Sequence, residues 1–124
     1  MTRARILLVD DSETVLFVLQ TALDEHFDVE TAPDGQRGLE RARASHPDIV
    51  VTDSLMPGLD GLGLLKALKA DPATQAIPVI VLTSEELNEV TSAAGSVQPA
   101  AVLAKSMDIS PLVDAIRAAL MHRA

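Results

Sequence analysis

A chain of 124 residues with a formal net charge of −8 is the size of one domain and can bury a core without disulfide or metal staples. Apolar residues make up 48%, Phe17 and Phe27 are the only Phe, Tyr or Trp residues, and there is no cysteine; disulfides, thiolate zinc sites and cysteine nucleophiles are therefore excluded. The acidic balance argues against direct nucleic-acid binding, and no run approaches the ~18 apolar residues that would span a bilayer. The expectation is a cytoplasmic protein without membrane insertion.

Along the chain, uninterrupted apolar runs alternate with segments of helical period. Residues 5–10, containing Ile6-Leu7-Leu8-Val9, read as a first strand buried on both faces, as in a parallel sheet. Residues 12–25 then place Val15, Leu19, Ala22 and Leu23 at helical spacing. A weaker strand, 27–31, is followed by the turn Pro33-Asp34-Gly35 and a short helix over 36–44. Pro47 precedes a third strand, 48–53. Met56-Pro57-Gly58 marks a loop, and Asp60 or Gly61 opens a helix over 61–70 that Asp71-Pro72 ends. Pro78 stands at the start of a fourth strand, 78–83, where its missing N–H is tolerable. A helix over 85–94 stops at Gly95. The fifth strand, 100–105, is rich in alanine, and the last helix, 109–122, lines up Ile109, Leu112, Val113, Ile116 and Leu120. Five such βα units predict an α/β fold, a doubly wound five-stranded parallel sheet covered by helices on both faces. In that architecture ligands bind beyond the carboxyl ends of the strands.

Four of the apolar runs end in residues able to handle a phosphoryl group. Asp10 and Asp11 follow the first, Asp53 the third, Thr83 the fourth and Lys105 the fifth. Close-set carboxylates repel one another, and a hard divalent cation such as Mg2+ relieves that repulsion while accepting only a few protein oxygens. Asp53 is the candidate nucleophile, since a carboxylate attacking phosphorus gives an acyl phosphate. Lys105 would supply a point charge to phosphoryl oxygens, or to Asp53 when no phosphate is present. Thr83 would donate a hydroxyl. Each residue also has a plainer reading. The acidic pair could cap the following helix, Asp53 could cap its loop, Thr83 could be an ordinary β-branched strand residue and Lys105 a solvated lysine. Their joint placement at strand ends favours the site. His26, His46 and His122 lack metal-ligand spacing and read as exposed. Met56, Met107 and Met121 read as packing. No glycine-rich nucleotide motif occurs.

Assembled in this order, Val9-Asp10-Asp11-Ser12, the stretch from Asp53 through Pro57 to Gly61, Val81-Leu82-Thr83-Ser84 and Lys105 resemble a response-regulator receiver domain of two-component signalling, of the chemotaxis-regulator kind. The resemblance covers essentially the whole chain and implies one receiver domain over 1–124, flavodoxin-like with strand order 2-1-3-4-5. It implies that Asp53 is the phosphoacceptor, that Asp11 ligates Mg2+ directly and Asp10 through water, and that the backbone carbonyl of Leu55 completes the protein ligands. Thr83 and Lys105 would contact the phosphoryl group. The implied partners are a sensor histidine kinase or histidine phosphotransfer protein and a downstream protein target met by the face of the fourth helix, fifth strand and fifth helix. Such a protein catalyses only its own phosphotransfer and dephosphorylation.

Three departures fall on the output side. Ser106 stands where the family has a proline, often in a cis bond. Val102 stands where an aromatic is common, which removes an aromatic rotamer switch. The segment 95–101 lacks the usual Ala-Gly-Ala turn and carries Pro99. They keep a second reading open, a receiver-fold binding module that signals without phosphorylation. A third, a phosphatase with an aspartyl nucleophile, fits poorly. It would place its nucleophile after the first strand with a second aspartate two residues on, whereas here Asp10 and Asp11 are adjacent.

Overall fold

The computed structural model describes residues 3–84, 87–106 and 108–121. Five strands and five helices alternate: β1 (Arg5–Val9), α1 (Glu13–Leu23), β2 (Asp28–Ala32), α2 (Gly35–Ser45), β3 (Ile49–Asp53), α3 (Gly61–Ala70), β4 (Val79–Thr83), α4 (Leu87–Ala94), β5 (Ala101–Ala104) and α5 (Ser110–Met121). All strand pairs are parallel and the sheet order is β2-β1-β3-β4-β5, as expected. Element ends differ from the sequence reading by one or two residues. The start of the 85–94 helix, Glu85, Met107 and His122 lie outside the described residues.

Burial follows the sheet order. β3 and β4, in the interior, are buried at every position, whereas the edge strand β2 alternates. The period of two in a strand divides the core into two layers. Ile6, Leu8, Ile49, Val51, Ile80 and Leu82 face Leu19 and Leu23 of α1 and Leu112, Val113 and Ile116 of α5. Leu7, Val9, Val50, Val79 and Val81 face Leu39 and Ala42 of α2, Leu64, Leu65 and Leu68 of α3, and Val90 of α4. Met56 packs into this second layer as expected, but Met121 is 82% exposed. It sits at the last turn of α5, outside the apolar stripe, so it adds nothing to the packing.

The helices start where a polar side chain satisfies an orphan amide. Ser12 accepts from the Val15 N–H at 3.2 Å, Asp34 from Arg37 at 2.8 Å and Asp60 from Gly63 at 2.7 Å. Ser12, not the acidic pair, therefore caps α1. The loop from β3 to α3 is drawn tight by Gly61, whose N–H donates to the Ser54 carbonyl at 3.0 Å. A Cβ on Gly61 would lie 2.2 Å from the Asp53 carbonyl oxygen, closer than any real contact. α2 and α3 are tied by Arg43, whose Nε lies 3.0 Å from Asp71 Oδ2, while Asp71 Oδ1 accepts from the Ala73 N–H at 2.9 Å.

Gly61→Ala should destabilise the chain by about 1–3 kcal/mol, the usual cost of overpacking, in urea unfolding. The Ala73 amide, and then Arg43, hold the Asp71 carboxyl below the usual carboxylate range. A depressed acid adds stability above its unfolded pKa and loses it as pH falls through the folded one. Asp71→Asn should thus be less stable than the parent at neutral pH, and thermal melts should show the difference closing on acidification below the ordinary carboxylate range.

Candidate functional site

The sheet ladder runs one residue past several strands, and those extra rungs position the site. Asp10 N–H donates to the Ala32 carbonyl at 3.2 Å, Ser54 N–H to Leu82 at 3.0 Å and Lys105 N–H to Thr83 at 2.9 Å. Val9 pairs with Thr52 in the register, so Asp10 stands beside Asp53. Asp53 pairs with Leu82 and Thr83 with Ala104. By strand alternation Asp10, Asp53 and Lys105 share the α1–α5 side of the sheet, at its carboxyl edge.

There the side chains meet. Lys105 Nζ lies 3.1 Å from Asp10 Oδ2 and 3.1 Å from Asp53 Oδ2. Oxygens of Asp10, Asp11 and Asp53 lie within 4.8 Å of one another. Asp10 and Asp53 are buried and Asp11 is exposed. Asp10 is held at both oxygens, because its Oδ1 accepts from the Ser12 N–H at 2.9 Å. Three carboxylates against one ammonium leave a formal excess of two negative charges. Burial, the leading cause, raises the Asp10 pKa, against the Ser12 amide and Lys105; Asp53 beside it raises it further. Burial alone would lower the Lys105 pKa, but its bonds to Asp53 and Asp10 outweigh that and raise it. The donor set, three carboxylates with one open to solvent, suits a hard divalent cation that keeps several waters.

Thr83 behaves differently from the expectation that it joins this group through its strand-end position. It is fully buried, and its hydroxyl is hydrogen-bonded to Ser54 Oγ at 2.9 Å. Alternation puts Thr83 and Ser54 on the α2–α4 side, with Val79, Val81 and Val50. Ser54 carries no motif signal in the sequence; only the β3–β4 register makes it the neighbour of Thr83. Leu55 lies in the loop after β3 with its side chain 58% exposed. The Lys105–Ser106 peptide is trans, so Ser106 gives a trans loop where a cis proline is familiar. Val102 is half-buried against the α2–α4 layer. A second feature absent from the sequence reading is an apolar cleft of about 360 Å³ beside the ammonium, between Val15, Val18 and Leu19 of α1 and Leu82, Lys105 and Ser106. A larger cavity, about 600 Å³, lies elsewhere, among Lys69, Pro78, Pro99, Ala101 and Ala119, away from the carboxylates.

Among the described residues no helix is long and apolar enough to cross a membrane. Residues 6–117 match the family model described as response regulator receiver domain. The chain is 40% identical over 119 residues to Protein PilH of Pseudomonas aeruginosa, covering 94% of this chain and 98% of that protein. It is 44% identical over 82 residues to Response regulator PleD of Caulobacter vibrioides, covering 65% of this chain but only 18% of PleD. In three dimensions it is similar to a putative response regulator from Chloroflexus aurantiacus, with a TM-score of 0.88 at 28% identity over 98% of this chain and 100% of that one. It is also similar to the Vibrio cholerae chemotaxis protein CheY4, with a TM-score of 0.82 at 26% identity over 95% of this chain and 99% of that one. A match over nearly its whole length, carried on the same five-stranded sheet, makes this chain a member of the response-regulator receiver domain family.

Proposed function

We propose that the chain works as a single phosphoacceptor receiver domain, in the cytoplasm, with Asp53 as the phosphorylated residue. A phosphohistidine on a sensor kinase or phosphotransfer protein is the donor. An Asp53 oxygen attacks phosphorus, the P–N bond breaks, and the electron pair leaves with the imidazole. The observation that carries this reading is the ammonium of Lys105, 3.1 Å from Asp53 Oδ2, at a carboxylate cluster open to solvent through Asp11. Lys105 exchanges part of its contact with Asp53 for a phosphoryl oxygen, and Thr83 donates its hydroxyl to another. Asp10, Asp11, Asp53 and the backbone carbonyl of Leu55 would hold Mg2+, with Asp10 acting through water. Mg2+, when bound, offsets the crowded negative charge of carboxylate and phosphoryl oxygens. Output passes through protein contacts of α4, β5 and α5 to a downstream protein. The trans Ser106 loop and Val102 favour the second reading, a module that signals without phosphate, and titrating Mg2+ and beryllofluoride while following amide shifts near Asp53 and Thr83 separates the two.

Asp53→Asn should abolish labelling by acetyl phosphate in Mg2+; labelling that survives, or wild-type amide shifts near Asp53 that ignore Mg2+ and beryllofluoride, would overturn the phosphoacceptor reading. At about 100 times its Kd, Mg2+ should stabilise the wild type by about 2.7 kcal/mol. Burial raises the Asp10 pKa in the folded chain, so without metal, stability falls as pH rises from the ordinary carboxylate range through that raised value, and the cost is in place at neutral pH. Asp10→Asn, which still accepts from Ser12, should then be more stable than wild type in chelator at pH 7 and gain less from Mg2+, by thermal unfolding.

A further inference from the structure

The chain has three lysines, in three different surroundings. Lys105 is an ammonium between the carboxylates of Asp10 and Asp53. Lys66 is exposed on α3. Lys69, in the last turn of α3, is half-buried, and among the described residues no carboxylate pairs with it. Its Nζ donates to the Gln75 carbonyl at 3.0 Å and to the Ile77 carbonyl at 2.9 Å. Asp71, the acid of the same turn, is engaged instead with Arg43 and the Ala73 N–H. Lys69 also borders the cavity of about 600 Å³, whose other walls include Ala76, Pro78, Ala100 and Ala119. Among the described residues lining that cavity it is the one ionisable group.

An ammonium carries three protons, whereas a neutral amine carries two and a lone pair. The carbonyls of Gln75 and Ile77 accept two protons, which is all that a neutral amine has. The remaining position on nitrogen has no partner among the described residues, so it is free for a lone pair. Burial lowers the Lys69 pKa, because the water that would stabilise its charge is excluded. A desolvated lysine without a counter-charge is a nucleophilic amine.

We propose that Lys69 is an acylation site, taking its acyl group from a small donor of the acyl phosphate class. The nitrogen attacks the carbonyl carbon, the bond from that carbon to the phosphate oxygen breaks, the electron pair leaves with phosphate, and the amine proton passes to water. The product amide is uncharged and so escapes the penalty of burying a charge. It retains a single N–H, so only one of the Gln75 and Ile77 carbonyls keeps its bond. Both belong to the turn over 71–77 that leads into β4, and acylation therefore loosens the α3–β4 connection. The inference does not depend on Asp53 being the phosphoacceptor. Acetyl phosphate gives its phosphoryl group to a carboxylate by cleavage at phosphorus, and its acyl group to an amine by cleavage at carbon.

The test treats the intact wild type with acetyl phosphate in chelator and maps acetylated peptides by mass spectrometry. Lys69 should be acetylated at least about threefold faster than Lys66 at neutral pH, as a larger free-amine fraction requires. Its rate should level off at lower pH than that of Lys66, Lys105 should stay unmodified, and urea should abolish the preference for Lys69. A chain with acetyl-lysine incorporated at position 69 should melt below the unmodified chain. Lys66 reacting as fast as Lys69 in the folded chain, a preference that survives in urea, or an acetylated chain that melts with the unmodified one overturns the proposal. Should the acetyl-lysine chain fail to fold, the wild-type rates and their pH profiles decide the matter. None of these outcomes bears on whether Asp53 accepts phosphate.

Discussion

The ammonium of Lys105, set between the carboxylates of Asp10 and Asp53, is the interaction on which the rest of the molecule depends. Two carboxylates on neighbouring strands cannot both stay charged beneath a protein surface without a compensating cation. The strand that delivers one on the same side of the sheet is β5, the edge strand beyond β4. Its register therefore matters more than its length of four residues suggests. A slip of one residue would turn Lys105 to the opposite face, and the carboxyl edge would be left with negative charge alone. The Lys105 N–H bond to Thr83 and the Thr83–Ala104 pairing prevent that slip.

The same ladder fixes the backbone of the site next to a segment that differs from the family pattern. Asp10, Ser54 and Lys105 each donate a backbone N–H to a carbonyl of the adjoining strand, so their Cα positions are set by the sheet and not by loops. Gly35 and Gly61 let helix starts press against backbone, where a Cβ would meet the Leu59 carbonyl oxygen at 2.0 Å or that of Asp53 at 2.2 Å. Beyond Lys105 the constraint ends. Ser106 follows on a trans peptide, and Val102 packs with aliphatic neighbours where the family often has an aromatic ring.

Much of this was legible before any coordinates. Ile6 to Val9, Ile49 to Val51 and Val79 to Leu82 are apolar without interruption because both their faces are covered, and that pattern survives in the bare sequence. Asp10, Asp53 and Lys105 could be singled out because each ends such a run. Met121 reads as packing from sequence but is exposed, because a methionine adjoining an apolar stripe looks the same whether it lies on the stripe or beside it. The cap of α1 was ambiguous for a similar reason: Asp10, Asp11 and Ser12 are all good capping residues, and only the backbone turn decides that Ser12 reaches the Val15 amide while Asp10 turns back to the Ser12 amide.

By itself the sequence determined the class of fold, the order of its elements and which residues stand at the strand ends, since these follow from local hydrophobic period and turn chemistry. Only the tertiary structure decided which of those residues share a side of the sheet. That depends on the pairing register between strands far apart in the chain, and it is the register that gathers Lys105 with Asp10 and Asp53 and turns Thr83 toward Ser54.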